Sequence, residues 1–171
     1  MERLTVLIVD DEPLIRAGLR LVLEGARGIE IAGEAGDGVE GEELAARLRP
    51  DVVLMDVRMP RRDGVEATAR VRALPDPPSV VVLTAFATDA YVLGALRAGA
   101  AGFLLKHTPP AQLVDAVRQA AAGTMALSPE AVSSLLDAAG APTMEGAERV
   151  STLSDREAEV ADLVAEGLTN A

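Results

Sequence analysis

The chain has 171 residues, 49% of them apolar, with no cysteine and a net charge of −11. At ~100–200 residues per domain that length accommodates one ordinary domain and part of another, and the missing cysteine excludes disulfides, thiol catalysis and Cys-ligated zinc. The charge is uneven, with 18 acidic and 14 basic side chains over residues 1–122 and nine and two over residues 123–171. Neither part has the basic surface that nucleic acid phosphates demand.

The apolar run after Arg3 reaches acid again at Asp10, too short for a signal peptide or a membrane span, so a soluble cytoplasmic protein is expected. Leu4–Val9 reads as a fully buried strand, and Leu14, Ile15, Leu19, Val22 and Leu23 form a helical stripe behind it. A second strand, Ile29–Ala35, closes on the turn Gly36-Asp37-Gly38, and a helix follows from Val39 to Leu48, ended by Pro50. Val52–Met55 is the third strand, with a loop through Pro60 and a helix from Gly64 to about Ala73. Val80–Leu83 is the fourth, followed by a short helix over Asp89–Arg97. Gly102–Leu105 is the fifth, and the helix Pro109–Ala122 carries proline in its first turn, where a missing N–H costs nothing. Five strand–helix units in sequence predict an α/β fold, a (βα)5 doubly wound parallel sheet with helices on both faces. Continuous apolar strands such as VLIV suit a sheet buried on both sides. Only Phe86, Tyr91 and Phe103 are aromatic, so the core must be aliphatic.

Past Gly123 the pattern changes. Ser128-Pro129-Glu130 can start a short helix through Leu136, and residues 139–150 have the composition of a linker. Ser154 and Glu157 form a capping-box pattern ahead of Val160, Leu163 and Val164. Three segments result: 1–122, a linker with a short helix over 123–150, and a helical fragment over 151–171. One isolated helix of ~12 residues is marginal in water.

In open parallel sheets the working site lies beyond the carboxyl ends of the strands. There the first strand meets Asp10, Asp11 and Glu12, the third Asp56, the fourth Thr84 and the fifth Lys106, the single lysine among sixteen basic residues. Taken singly, each has a plain structural reading: a helix N-cap for the acidic pair, a turn residue ahead of Pro60, a strand-end hydroxyl, a solvated charge. Their coincidence at one edge is what those readings do not produce. Crowded carboxylates favour a cation, and hard oxygen ligands suit Mg²⁺. Asp56 could attack phosphorus as a nucleophile, with Mg²⁺, Lys106 and the Thr84 hydroxyl stabilising the phosphoryl oxygens. A compact ammonium fits that role better than a guanidinium.

The segments VLIVDDEPLIRAGL, GEAGDGVEG, DVVLMDVRMPRRDGVEAT, VVLTAFA and GAAGFLLKHTPP resemble the receiver domains of bacterial two-component response regulators of the NarL/FixJ class, over about residues 3–122. STLSDREAEVADLVAEGLTNA resembles the opening of a LuxR-type helix-turn-helix domain, broken off before its scaffold and recognition helices. The resemblance implies a flavodoxin-like receiver fold in which Asp56 takes phosphate from a sensor histidine kinase. Asp10, Asp11 and Asp56 would then hold Mg²⁺ with the backbone carbonyl of Arg58. Thr84 and Lys106 would contact the phosphoryl group, and Phe103 would swing inward on activation.

It also implies no enzyme activity beyond self-phosphorylation from a phosphodonor and autodephosphorylation. The expected output is a homodimer formed on phosphorylation, through the first and fifth helices or the region from the fourth helix to the fifth strand. DNA would be bound only by a complete C-terminal domain, not by this fragment, and no membrane is involved. Three departures stand out. Phe103 has no phenolic hydroxyl, His107 follows the lysine where many relatives carry Asp, and Arg58 and Phe86 stand where side chains can overhang the site. A flavodoxin-like nucleotide binder would need a hydroxyl- or glycine-rich loop after the first strand, where Asp-Asp-Glu-Pro stands instead. A haloacid-dehalogenase-like phosphohydrolase would need an Asp where Arg58 stands. A receiver fold that binds partners without phosphorylation is the remaining alternative.

Overall fold

The inner strands bury almost everything they carry, and that fixes the architecture. The computed structural model describes residues 2–140. In chain order the elements are β1 (Leu4–Val9), α1 (Pro13–Glu24), β2 (Ile29–Ala35), α2 (Gly38–Leu48), β3 (Val52–Asp56), α3 (Gly64–Arg72), β4 (Ser79–Thr84), α4 (Asp89–Arg97), β5 (Gly102–Leu105), α5 (Pro110–Ala121), β6 (Ala126–Leu127) and α6 (Pro129–Gly140). All pairings are parallel, in the order β2-β1-β3-β4-β5-β6.

Alternation along the strands divides the core in two. Leu7, Val9, Val53, Met55, Val80, Val82 and Phe103 face one way, onto Ala45, Ala67, Val71, Val92 and Leu96 of α2, α3 and α4. Val6, Ile8, Val52, Leu54, Val81 and Leu83 face the other way, onto Leu23 of α1 and Leu113, Val117 and Ala120 of α5. Phe103 is the one aromatic among the buried residues described, so the core is aliphatic as the composition requires.

The expectation of five strands needs correction. Among the described residues the sheet has six, because Ala126–Leu127 adds a strand at the β5 edge. Two residues are too few for any periodicity to show. The approach depends on Gly102, where a Cβ would lie 2.6 Å from the Ala126 carbonyl oxygen. Ser128 does cap the next helix, its Oγ accepting from the Ala131 amide at 3.2 Å, but that helix runs to Gly140 and not to Leu136. It packs on α4 and β5. Ala131 is fully buried, with Leu127 and Leu135 against the same cluster as Phe103, so the stretch just past Gly123 is part of the folded body. The predicted helix from Ser154 and the rest of the linker lie outside the described residues.

Sheet order explains where a site must form. The chain runs from β1 outward to β2, then returns to place β3 on the other side of β1. Helices on the two sides of that reversal diverge and leave a crevice at the carboxyl ends of β1 and β3. The residues there are Asp10 and Asp56.

Candidate functional site: an acidic crevice with one lysine

β1 runs into Asp10, which is 1% exposed, and β3 ends on Asp56, which is 4% exposed. Carboxylates so buried need partners. Asp10 Oδ1 accepts from the Glu12 amide at 2.9 Å. Its Oδ2 is ion-paired with Lys106 Nζ at 2.9 Å, and no other donor among the described residues satisfies that oxygen. Lys106 also reaches Asp56 Oδ1 at 3.3 Å and Glu12 Oε1 at 3.4 Å. One ammonium thus serves three carboxylates, and Glu12 is a member the strand-end pattern placed nearby without a role.

Asp10, Asp11 and Asp56 each offer an oxygen, all within 4.8 Å of one another. Such crowding shows in the protonation of Asp56. Burial, then the charge of Asp10, push its carboxyl up to about 6 against the pull of Lys106, with Asp11 adding to the rise. For Lys106 burial is the largest influence and opposes the charge, yet Asp10 and Asp56 together outweigh it and hold the ammonium above its ordinary value. An all-oxygen set with a buried, unsatisfied carboxylate oxygen and excess negative charge fits a hard divalent cation such as Mg²⁺.

Thr84, at the end of β4, is buried. Its hydroxyl donates to the Phe86 carbonyl at 3.2 Å and accepts weakly from the Phe86 amide at 3.4 Å. It is therefore engaged by its own loop, at the site's edge. The Phe86 ring is 67% exposed.

The loop after β3 is held on both flanks. The Val57 amide donates to Leu83, and the Gly64 amide donates back to Val57 at 2.7 Å. A Cβ on Gly64 would sit 1.9 Å from the Asp56 carbonyl oxygen, so only glycine permits this approach. Arg61, left-handed at φ 65, bonds Asp37 at 2.5 and 3.0 Å. Asp37 also accepts from the Val39 and Glu40 amides at 2.9 Å, capping α2. Burial works against the charge on Asp37, but the Glu40 amide and Arg61 outweigh it and hold the carboxyl below its ordinary value.

The crevice therefore brings together Asp10, Asp11, Asp56 and Lys106, with Thr84 beside them. Arg58 lies on the loop between β3 and α3, and Phe103 is fully buried on β5 under α4 and α6. His107 is exposed, its Nε2 4.0 Å from Glu130. Sequence reading missed one contact at the rim: the Arg58 guanidinium over the Tyr91 ring of α4, 5.7 Å from its centroid. No sequence signal joins residues so far apart.

Residues 6–118 match the response regulator receiver domain family. Among curated proteins, the transcriptional regulatory protein YxjL of Bacillus subtilis is 44% identical over 71% of this chain and 56% of its own length. LiaR of the same organism, also named a transcriptional regulatory protein, is 42% identical over 96% of this chain and 78% of its own. The solved receiver domain of the response regulator NarL from Mycobacterium tuberculosis superposes with a TM-score of 0.70 at 40% identity, covering 72% of this chain and 99% of that one. With the parallel sheet and the acidic crevice at its switch point, these likenesses settle the family: the chain belongs to the response regulator receiver domains, among the NarL- and LiaR-like regulators of two-component systems.

Proposed function

We propose that this chain is the phosphoryl-accepting part of a response regulator, and that Asp56 is the acceptor. The observation that carries the reading is the buried Asp56 carboxylate, with donor oxygens of Asp10 and Asp11 within 4.8 Å and Lys106 Nζ at 3.3 Å. A carboxylate oxygen of Asp56 attacks phosphorus, the bond from phosphorus to the donor nitrogen of a kinase histidine breaks, and an acyl phosphate results. Asp10, Asp11, Asp56 and the Arg58 backbone carbonyl would hold Mg²⁺, which supplies charge neutralisation on the transferring group. Lys106 neutralises the acceptor and stabilises the phosphoryl oxygens. Thr84 must exchange its bond to Phe86 for one to a phosphoryl oxygen, which makes it a switch with a defined resting state. Phe103 is the second switch residue; its ring is already buried here, so any movement must repack it beneath α4 and α6.

The partner is a sensor histidine kinase, in the cytoplasm; no helix among the described residues is long and apolar enough to cross a membrane. Receiver 1–122, linker 123–150 and helix-turn-helix fragment 151–171 remain the proposed divisions, with β6 and α6 packed on the receiver. Transcription would be controlled through a complete C-terminal DNA-binding domain, with dimerisation on phosphorylation. Since α6 occupies the side of α4 and β5, the free apolar surface of α1 is favoured for that contact: Leu14 and Leu21 are 84% and 77% exposed, with exposed Ala17 and Gly18 between them. Intact mass after treatment with acetyl phosphate tests the reading. One phosphoryl group should be gained with Mg²⁺, and none in chelator or in Asp56→Asn.

A further inference from the structure

Arg58 stands two residues beyond Asp56 and is exposed, yet its guanidinium does not pair with any of the carboxylates at the neighbouring strand ends. Among the described residues its partner is the ring of Tyr91, on the first turn of α4. β3 and β4 are neighbours in the sheet, so the contact joins the loop that follows Asp56 to the helix that follows Thr84. Bonds of Val57, Gly64 and Arg61 hold the loop on both flanks, so the guanidinium can change partner by side-chain rotation alone. Tyr91 is half-buried and packs against the core cluster that contains Phe103.

Relative strengths decide where the guanidinium rests. A cation–π contact at an exposed site is weak. A phosphoryl group brings close to two negative charges and three acceptor oxygens, and a guanidinium meets it with paired, charge-assisted hydrogen bonds that are among the strongest a side chain makes. The ring holds the cation only while nothing better is present. We propose that Arg58 is a mobile cation, parked on Tyr91 in the resting state and transferred to the phosphoryl oxygens once Asp56 carries them, so that phosphorylation releases Tyr91 and the start of α4. The inference rests on Asp56 as acceptor and adds a side-chain role for Arg58 and a positioning role for Tyr91.

Thermodynamic linkage gives the two residues effects of opposite sign. Affinity for beryllofluoride, a phosphoryl analogue, is measured by calorimetry on the whole chain with Mg²⁺. Tyr91→Leu removes the competing rest position and should tighten binding about two- to fivefold, the span that an exposed cation–π contact represents. Tyr91→Phe keeps the ring and should match wild type. Arg58→Ala should weaken binding about tenfold or more, and Tyr91→Leu added to it should change nothing further. A second readout needs no variant at Tyr91: it is the lone tyrosine and there is no tryptophan, so the intrinsic emission of the chain reports on this ring. That emission should change as beryllofluoride saturates wild type, and not in Arg58→Ala. If Tyr91→Leu leaves affinity unchanged or weaker, or if the emission change persists in Arg58→Ala, the transfer does not occur. If wild type does not bind the analogue at all, or Asp56→Asn binds it as well, the acceptor reading fails and takes this inference with it.

Discussion

Replacing Asp56 by Asn should stabilise the metal-free protein, and by an amount that depends on pH in a specified way. Burial and the Asp10 charge raise the Asp56 carboxyl from 3.8 to about 6. At ~1.36 kcal/mol per tenfold change in proton affinity, that rise sets a ceiling of about 3 kcal/mol for what the charged form costs the folded state at neutral pH. Asn removes that cost but also one of the partners of Lys106, so a net gain of about 1–2 kcal/mol is expected, a rise in Tm of roughly 3–8 °C. The sign follows from the folded pKa lying above the unfolded one. The stability contributed by protonated Asp56 is fully present below about 3.8 and is lost as pH rises through about 6. The difference between variant and wild type should therefore be near zero at pH 4, grow between pH 4 and 6, and level off above pH 7. Thermal melts in chelator across that range, followed by circular dichroism, measure it. A variant that melts no higher than wild type at pH 7.5, or a gain that stays flat with pH, would refute a shared, mutually repelling acidic crevice.

Other outcomes follow from the same geometry. Mg²⁺ should raise the wild-type Tm by mass action on a folded-state site, and do so less in Asp56→Asn; differential scanning fluorimetry at matched ionic strength checks both. Asp37→Ala removes the α2 cap and the Arg61 anchor together, and a loss of about 1–2 kcal/mol in urea unfolding is expected. Gly64→Ala forces a Cβ into the Asp56 carbonyl oxygen and should cost more than about 3 kcal/mol or prevent folding, read as a lost melting transition or insoluble protein. A Leu14→Glu, Leu21→Glu double variant should accept phosphate normally yet lose the dimerisation proposed for the phosphorylated wild type, read by sedimentation of both side by side.

Much of this was legible in the residues. β1 runs from Leu4 to Val9 as expected because an apolar run ends abruptly in Asp10, and β5 because Gly102–Leu105 is bounded by small residues and Lys106. Three of the strand-end residues, Asp10, Asp56 and Lys106, meet in space because parallel strands deliver their carboxyl ends to one edge whatever the loops do. What escaped depends on contacts without a local signature. β6 is two residues long and exists because Gly102 lets it approach. Helix α6 was readable from its Ser128 cap, but its docking onto α4 depends on Ala131, whose small side chain carries no periodic signal of burial. Lys106 could be placed at the site, whereas its sharing among Asp10, Glu12 and Asp56 is set by side-chain reach. The Thr84 hydroxyl turning back to Phe86 and the Arg58–Tyr91 contact are both decided by loop conformation.

The most direct test is whether Asp56, and no other residue, carries the phosphoryl group. Borohydride reduction of protein treated with acetyl phosphate and Mg²⁺ converts an aspartyl phosphate to homoserine, and peptide mass mapping then locates it. Homoserine is expected at position 56 alone, absent when Mg²⁺ is chelated. Homoserine at Asp10 or Asp11, or reduced protein that maps unchanged at position 56 after a phosphoryl mass has been gained, would contradict it.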